Sequence, residues 1–580
     1  LGFTEKPERL PGKLHEPLFP KKEDDMDEKT AFKEAINLAV KGLSQVTGVQ
    51  VSRHESDVQC FVRWLEHSGK EWTVKRMKDL KTLYLNFLND PQGAKFNSLV
   101  SSYSGRKFLY NGTKMPSLRL FSTLARCVKT SNWRGVRAGL DLLNCYMVFN
   151  GPGNDIEEKI NVITEQPNQE LDDKVINDLK SLIIKDFPLV KRRRPWKIKY
   201  QGPDVGGARY AQMPGKNASS IECLIPSLSF IPAWIFASVP KMREWVETHP
   251  FFENVRKYKS LFLEGDDQPG TYWGGNLAIL GEAGLKSRIV FVGNPWIQGC
   301  LKPVMVILQR ELLKLSTDCT FDQEEGRSFL RKATAAGTMV HSIDLSAATD
   351  NFPFFIQRYV GELCGLPKWS LDLMEYVGFN HPLHRDDGIL RYGKGQPMGL
   401  YPSFPLFALT HNVLLHCIAR SIGIDPDRSF RVLGDDVVIT DDTLANKYRQ
   451  VLNSLSVPIS EDKSFLSPIL GEFGGRVYWK GHNVTPIKWR QCTTSSIDVV
   501  SQYIDRGLVD INHHDQYIKS IPLVSDPKVY SHAEALYPLP KEFGGFGKLT
   551  RQPLADRLHW GRRKARSLRA GFLSLFSERI

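Results

Sequence analysis

The sequence predicts an α+β chain built from several subdomains, and three observations carry that reading. Residues 30–148 place apolar side chains at mixed three- and four-residue spacing, as in TVKRMKDLKTLYLNFLND (73–90), with bases on the other face. From about 270 to 490, short β-branched runs alternate with helix-like stretches. At 430–440, two such runs flank a Gly-Asp-Asp triplet, the pattern of a tight hairpin. At 580 residues, the chain is too long for one simple core.

Composition narrows the class. Hydrophobic residues make up 41% and charged residues 24%, as in ordinary globular proteins. Lys and Arg outnumber Asp and Glu by 77 to 64, an excess that favours a polyanionic partner, nucleic acid first and anionic membrane second. The nine cysteines are scattered without a C-x-x-C pair, which suits reduced thiols and gives no support to a zinc knuckle. Residues 223–240, CLIPSLSFIPAWIFASVP, carry no charge, but three prolines interrupt them; they read as part of a globular domain rather than a transmembrane segment. The opening is Pro-rich and carries Glu23, Asp24 and Asp25, unlike a secretory signal or an acid-poor transit peptide.

In chain order, residues 1–190 form a largely helical N-terminal extension with no function assigned beyond packing. Residues 150–173 are rich in Gly, Pro, Asn and acid and read as an exposed connection. KRRRPWKIKY (191–200) interleaves bases with rings. Arg192, Arg193, Arg194 and Trp196 there suit phosphate contact and base stacking, or else form a solvated strand edge. Residues 555–580 read as a basic amphipathic helix.

Gly-Asp-Asp occurs twice. At 265–267 it runs into Gln268-Pro269-Gly270, and a polar loop explains it. At 434–436 it sits between Phe430, Val432, Leu433 and Val437, Val438, Ile439, so its acids project from a rigid tip. Adjacent carboxylates repel unless a cation neutralises them, and a hard divalent ion bound through oxygen is the natural partner. A second acid pair lies upstream in VHSIDLSAATD (340–350), where a short strand delivers Asp344 and Asp350 follows near a helix start. If that strand lies beside the hairpin, Asp344 and Asp435 would share two Mg²⁺ ions, or Mn²⁺, in phosphoryl transfer.

Taken together, these segments resemble viral RNA-dependent RNA polymerases, in that family's order. GEAGLKSRIVF (281–291) looks like the basic triphosphate-gripping motif. DLSAATD, GQPMGLYPSFPLFALTHN (395–412) and VLGDDVV look like the first three palm motifs. ISEDKSFLS (459–467) and GEFGGRVYWKG (471–481) look like the fourth and fifth. The FP after DLSAATD, the ALTH after GQPMG, TFDQ (320–323) and QGCLKPV (298–304) are similar to the mitovirus branch of the narnavirus-like polymerases, whereas Gly474-Gly475 and Phe407 depart from its common pattern.

The resemblance implies a right-hand fold: N-terminal extension 1–190, fingers 191–337, palm 338–490 with a fingers insertion near 351–394, and thumb 491–580. It implies RNA template and product and nucleoside triphosphates as partners, and a host mitochondrion, otherwise cytoplasm, as location. Asp344, Asp435 and Asp436 would hold metal, and Lys463 would protonate departing pyrophosphate. Lys286 and Arg288, two apart on one strand face, would grip the triphosphate. Asp350 would read the ribose 2′-OH, with Ser403 and Asn412 near the sugar. Gly395 and Gly399 would give the loop before the second-motif helix its mobility, Gly399 close to RNA. A reverse-transcriptase-like polymerase and an inactive, host-captured RNA-binding protein stay open as alternatives.

Overall fold

The structure is a computed structural model that describes residues 28–110, 113–165, 173–204, 231, 233–248, 275–380, 383–385, 388–461 and 463–489. The expected thumb, the C-terminal basic helix, the 265–267 triplet and most of 223–240 lie outside the described residues. The chain divides into two compact units, Leu43–Pro486 and a second made of Leu1–Gly42 with Ile487–Ile580. Of the second unit, the described part is residues 28–42, within helix α1 (Glu28–Thr47), and residues 487–489. All the remaining described elements lie in Leu43–Pro486.

The N-terminal part is helical. α2 (Glu55–Asn89) is two helices merged across a kink at Gly69, whose φ of 79° is unavailable to a regular helix. It packs against α3 (Ala94–Ser102), α4 (Arg119–Lys129) and α5 (Trp133–Leu143), with the small antiparallel pair β1 (Lys107–Tyr110) and β2 (Thr113–Pro116) between. The Asp57 carboxylate of α2 accepts from the Arg119 and Leu120 amides at 3.0 and 2.7 Å, capping α4 from a neighbouring helix. The expected connection at 150–173 instead contains α6 (Ile156–Thr164), which buries Ile160 and Ile163. Two apolar residues three apart sufficed, although Gly and acid around them masked the periodicity. α7 (Asp173–Asp186) comes after it.

A sheet of order β4-β3-β6-β7 is next, from β3 (Gly275–Glu282), β4 (Lys286–Gly293), β6 (Leu383–Arg385) and β7 (Gly388–Leu390). The segment expected as an insertion near 351–394 thus sends its two short strands to the hairpin that precedes it in sequence. α8 (Pro295–Leu312) and α9 (Gln323–Ala336) lead to the central sheet.

That sheet has the order β10-β5-β9-β8, every pair antiparallel: β5 (Val340–Ile343), β8 (Phe430–Leu433), β9 (Asp436–Ile439) and β10 (Phe465–Ser467). Its core strands are apolar on both faces, because both are covered. Phe430, Val432, Val437, Ile439 and Ile343 join the main core, which includes α13 (Ser403–Ser421), buried almost all round, and α14 (Asp442–Ser454). Val340 and Val438 turn to the opposite face, with Leu330 of α9 and with Phe473 and Tyr478 from the hairpin β11 (Leu470–Phe473) and β12 (Arg476–Trp479). β13 (His482–Asn483) extends that hairpin. Between α9 and the 395–402 loop lie α10 (Ala348–Asn351), α11 (Phe354–Leu363) and α12 (Lys368–Glu375). Among the described residues, no helix is long and apolar enough to cross a membrane.

Candidate active site

The site forms at one end of the central sheet, and strand register explains why. β5 pairs with β9 so that Ile343 opposes Val437 and Ser342 opposes Val438. Asp344 is the residue that follows β5, and β9 begins at Asp436 behind the Gly434-Asp435 turn. Acids far apart in sequence thereby reach one edge. Within the turn only Gly434 has positive φ (61°), the two-residue connection that matches strand twist.

The two acids of the doublet have different neighbours. Water reaches Asp435 at the tip, yet protein crowds its carboxyl enough to raise its pKa, first by desolvation and then by the charge of Asp344; Lys463 and Lys286 oppose the rise. Asp436 leans toward β11 and β12: desolvation, Asp435 and Glu472 push its carboxyl up to about 7, with the Gly474 amide pulling the other way. Lys463 Nζ donates to Asp344 Oδ2 at 2.9 Å. Desolvation works against the lysine's charge, but the charge and hydrogen bond of Asp344, with Asp435 and Glu472, together outweigh it and the lysine pKa is raised. The loop bearing Lys463 is tied to the end of β5, where the Asp344 amide donates to Ser464 Oγ (3.2 Å) and the Ser460 amide to the Asp344 carbonyl (2.8 Å).

Lys286 and Arg288 stand on the exposed face of β4, with Ser287 and Ile289 turned inward. Lys286 is depressed by desolvation, then by Arg288 and Lys463. The structure therefore brings Asp344, Asp435, Asp436, Lys463 and Lys286 into one electrostatic neighbourhood. Arg288 acts on Lys286 while paired with Glu282, whose Oε1 lies 2.7 Å from its Nε.

Asp350 occupies the first turn of α10, after Ala347, a non-glycine residue at φ 44°. Desolvation pushes its carboxyl up to about 7, with the Tyr392 hydroxyl and Lys159 pulling partway back. The 395–402 loop is fastened rather than loose. A Cβ on Gly395 would lie 2.2 Å from the Thr349 carbonyl oxygen and 2.3 Å from that of Asp350, and one on Gly399 2.1 Å from that of Phe291. The glycines expected to supply mobility, and Gly399 as an RNA contact, are sites of close backbone approach. Gln298 completes the fastening, donating to the Gly399 carbonyl (2.7 Å) and accepting from the Tyr401 amide (3.1 Å).

Three further expectations are corrected. Asn412 is fully buried, accepting from Thr317 Oγ1 at 2.6 Å and donating to Asp318 at 3.3 Å, so it faces the core and no sugar. Ser403 starts α13 but is buried, its carbonyl taken by Gln396. Trp196 donates from its indole N–H to the Cys364 carbonyl at 3.1 Å, with Arg192 stacked 3.2 Å over its ring, so that face is closed to a base. Arg193 and Arg194 are exposed.

Residues that local sequence could not single out complete the site. His411, buried in α13, bonds the Gly434 carbonyl through Nδ1 (2.7 Å) and Tyr448 Oη through Nε2 (2.5 Å). Lys159 of α6 donates to the Ser287 carbonyl at 2.5 Å. His411 belongs to the ALTH segment, which in the sequence is only a family mark; Lys159 stands where a connection was expected.

Among the described residues, no three His, Cys, Asp or Glu side chains are gathered into a ready metal nest. The donor chemistry nevertheless fits a hard divalent cation. Asp344 and Asp435 offer oxygen only, and such an ion would offset both the burial and the charge of Asp344 that raise Asp435.

The chain has relatives among known proteins. The family described as Mitovirus RNA-dependent RNA polymerase matches residues 216–537, more than half of the chain. The chain is 30% identical over 263 residues to the RNA-directed RNA polymerase of Cryphonectria parasitica mitovirus 1 (strain American chestnut tree/New Jersey/NB631), a match covering 43% of this chain and 32% of that one. It is 34% identical over 165 residues to an uncharacterized mitochondrial protein of Arabidopsis thaliana, AtMg01110, covering 27% and 64%. The insertion-loop deletion mutant of a human picorbirnavirus RNA-dependent RNA polymerase superposes with a TM-score of 0.41 at 15% identity, covering 79% of this chain and 89% of that one. The match to the Cryphonectria parasitica mitovirus 1 protein thus spans about a third of that relative's length. With the matched segment enclosing the acid-bearing strands, the β3–β4 hairpin that carries Lys286 and Arg288, and the Lys463 segment, the chain belongs to the mitovirus RNA-dependent RNA polymerase family.

Proposed function

We propose that this chain is an RNA-directed RNA polymerase that replicates a positive-strand RNA virus genome by nucleotidyl transfer. What supports this above all is one relationship: Asp344 and Asp435 meet at the end of the central sheet, with Lys463 bonded to the first. Asp344 and Asp435 would hold two Mg²⁺ ions, or Mn²⁺, with Asp436 supporting from the side. When bound, such ions supply charge neutralisation for an attacking oxygen and a leaving one.

The chain's own residues do the rest. The ammonium of Lys286 faces the same point from β4 and would bind the triphosphate, and Arg288 would join it after releasing Glu282. The primer 3′-oxygen attacks the α-phosphorus and pyrophosphate departs, with Lys463 placed to give it a proton. Asp350, beside the fastened 395–402 loop, would read the 2′-OH. Residues 191–337 would serve as fingers, 338–490 as palm with an insertion near 351–394, and 491–580 as thumb. The names of the mitovirus and plant mitochondrial relatives favour a host mitochondrion as the place of action.

Primer extension on an RNA template with Mg²⁺ tests this reading. Asp435→Asn is expected to lose nearly all activity while still binding RNA. Equal extension by both proteins refutes the site, and no extension by the unaltered chain refutes the activity.

A further inference from the structure

Two segments carry the lysines that the proposed reaction uses, and both are held by the N-terminal helices. The first is the β3–β4 turn with the start of β4, which bears Lys286. Lys78 of α2 donates to the Gly284 carbonyl at 2.8 Å, and Lys159 of α6 to the Ser287 carbonyl at 2.5 Å. Backbone contacts reinforce them. The Gly284 amide donates to the Phe149 carbonyl at 2.7 Å and the Gly153 amide to Ser287 Oγ at 2.8 Å. A Cβ on Gly281 would lie 2.4 Å from the Gly151 carbonyl carbon, so the 149–153 segment lies directly on this hairpin.

The second segment bears Lys463 and runs into β10: residues 460, 461 and 463–466. Lys95 of α3 donates to the Glu461 carbonyl and, at 3.4 Å, to that of Ser464. Asn89, the last residue of α2, donates to the Leu466 carbonyl at 3.3 Å. α2 and its neighbour α3 thus reach one catalytic segment through Lys78 and the other through Lys95 and Asn89.

The chemistry of these bonds is alike. An ammonium has three donors and no acceptor, and each of these ammoniums is aimed at main-chain carbonyls rather than at a carboxylate alone. Such charge-assisted bonds hold backbone in place while leaving positive charge beside it. Gly284, Glu461 and Ser464 lie outside the strands, and Ser287 and Leu466 lie on β4 and β10, the outer strands of their sheets, so a long side chain from outside can reach each carbonyl. Lys78, Lys159 and Lys286 also repel one another, a cost that an arriving polyphosphate would offset.

We propose that the N-terminal helical region is a brace for catalysis: Lys78 and Lys159 position the strand of Lys286 and Arg288, and Lys95 positions the loop of Lys463. These three are positioning residues. The inference rests on the polymerase reading for its consequence, but its geometry is testable without turnover.

The test uses the full chain with Lys159→Met, Lys95→Met and Lys95→Arg, read by single-nucleotide extension kinetics, amide hydrogen exchange and melting temperature. Lys159→Met is expected to raise KM for the nucleotide by about tenfold at little-changed kcat, and Lys95→Met to lower kcat by about tenfold with KM within about twofold. Amides of 284–288 and of 460–466, respectively, are expected to exchange faster, with RNA binding and melting temperature unchanged; Lys95→Arg, which keeps the charge, is expected to recover part of the loss. Unchanged kinetics and exchange overturn the proposal. So does a loss that moves kcat, KM and melting temperature together in both Met variants, since that is what mere packing would give. Should Lys95→Met fail to fold, Lys95→Arg and Lys159→Met decide by the same readings. If the unaltered chain extends no primer, the polymerase reading fails, and the exchange data still judge the brace.

Discussion

His411 Nδ1 lies 2.7 Å from the carbonyl oxygen of Gly434, the residue that turns the chain into Asp435. A carbonyl only accepts, so Nδ1 carries the proton and Nε2 must accept from the Tyr448 hydroxyl at 2.5 Å. Burial depresses the imidazole to about 4, which keeps it neutral and this tautomer in place across the working range. A residue on α13 and another on α14 therefore fix the carbonyl immediately before the acid tip.

Removing that support should disturb the tip from below. His411→Phe keeps the ring volume but leaves the Gly434 carbonyl and the Tyr448 hydroxyl without their partner, at about 1–3 kcal/mol for each group that stays buried and unpaired. Denaturant unfolding is expected to show that loss. Tyr448→Phe, which strands only a ring nitrogen, is expected to cost less. Equal stability of His411→Phe and the unaltered chain would contradict the arrangement.

Asp435 and Asp436 contribute a pH dependence of stability, as Asp350 does, because their folded pKa values lie above their unfolded ones. A raised carboxyl means that the folded state binds more protons than the unfolded state between about 4 and about 7, so stability falls as pH rises through that window. In chelator, the protein should therefore melt higher at pH 5 than these groups allow at pH 8. Asp436→Asn is expected to raise the melting temperature at pH 8, by about 1 °C for each kcal/mol of repulsion removed, and to change little at pH 5. Added Mg²⁺ should narrow the difference at pH 8. A variant that gains as much at pH 5 as at pH 8 would rule out this account.

Gly395 offers a test of ribose selection. Its missing Cβ leaves room for the carbonyl oxygens of Thr349 and Asp350. Gly395→Ala must push the loop off the first turn of α10, at about 1–3 kcal/mol by the usual cost of overpacking. The expected result is weaker discrimination between ribo- and deoxyribonucleotides, measured as the ratio of kcat/KM values, with RNA affinity unchanged. Unaltered discrimination would separate this contact from sugar recognition.

Much of this site was legible in the residues themselves. The β-branched runs around 434–436 read as a covered hairpin, and in an extended segment Lys286 and Arg288, two apart, share one face, because strand period is local. Family order then identified the Lys463 loop, which no local rule would have chosen. What sequence could not decide was which face a polar residue meets. Asn412 lies on a helix buried on every side, so its amide serves Thr317 and Asp318; no neighbour in sequence announces that. Trp196 looked ready to stack on a base until Arg192 and Cys364 occupied it.

By itself the sequence determined the strand that leads into Asp344, the turn that presents Asp435 and the spacing of Lys286 from Arg288, since each depends on backbone preferences a few residues long. Tertiary structure alone decided that β5 lies beside β9, that His411 rises beneath Gly434, and that Lys95 and Lys159 reach backbone more than a hundred residues away. Those contacts depend on how buried faces pack and on which carbonyls remain unpaired after packing, quantities that the order of residues leaves open until the chain has closed on itself.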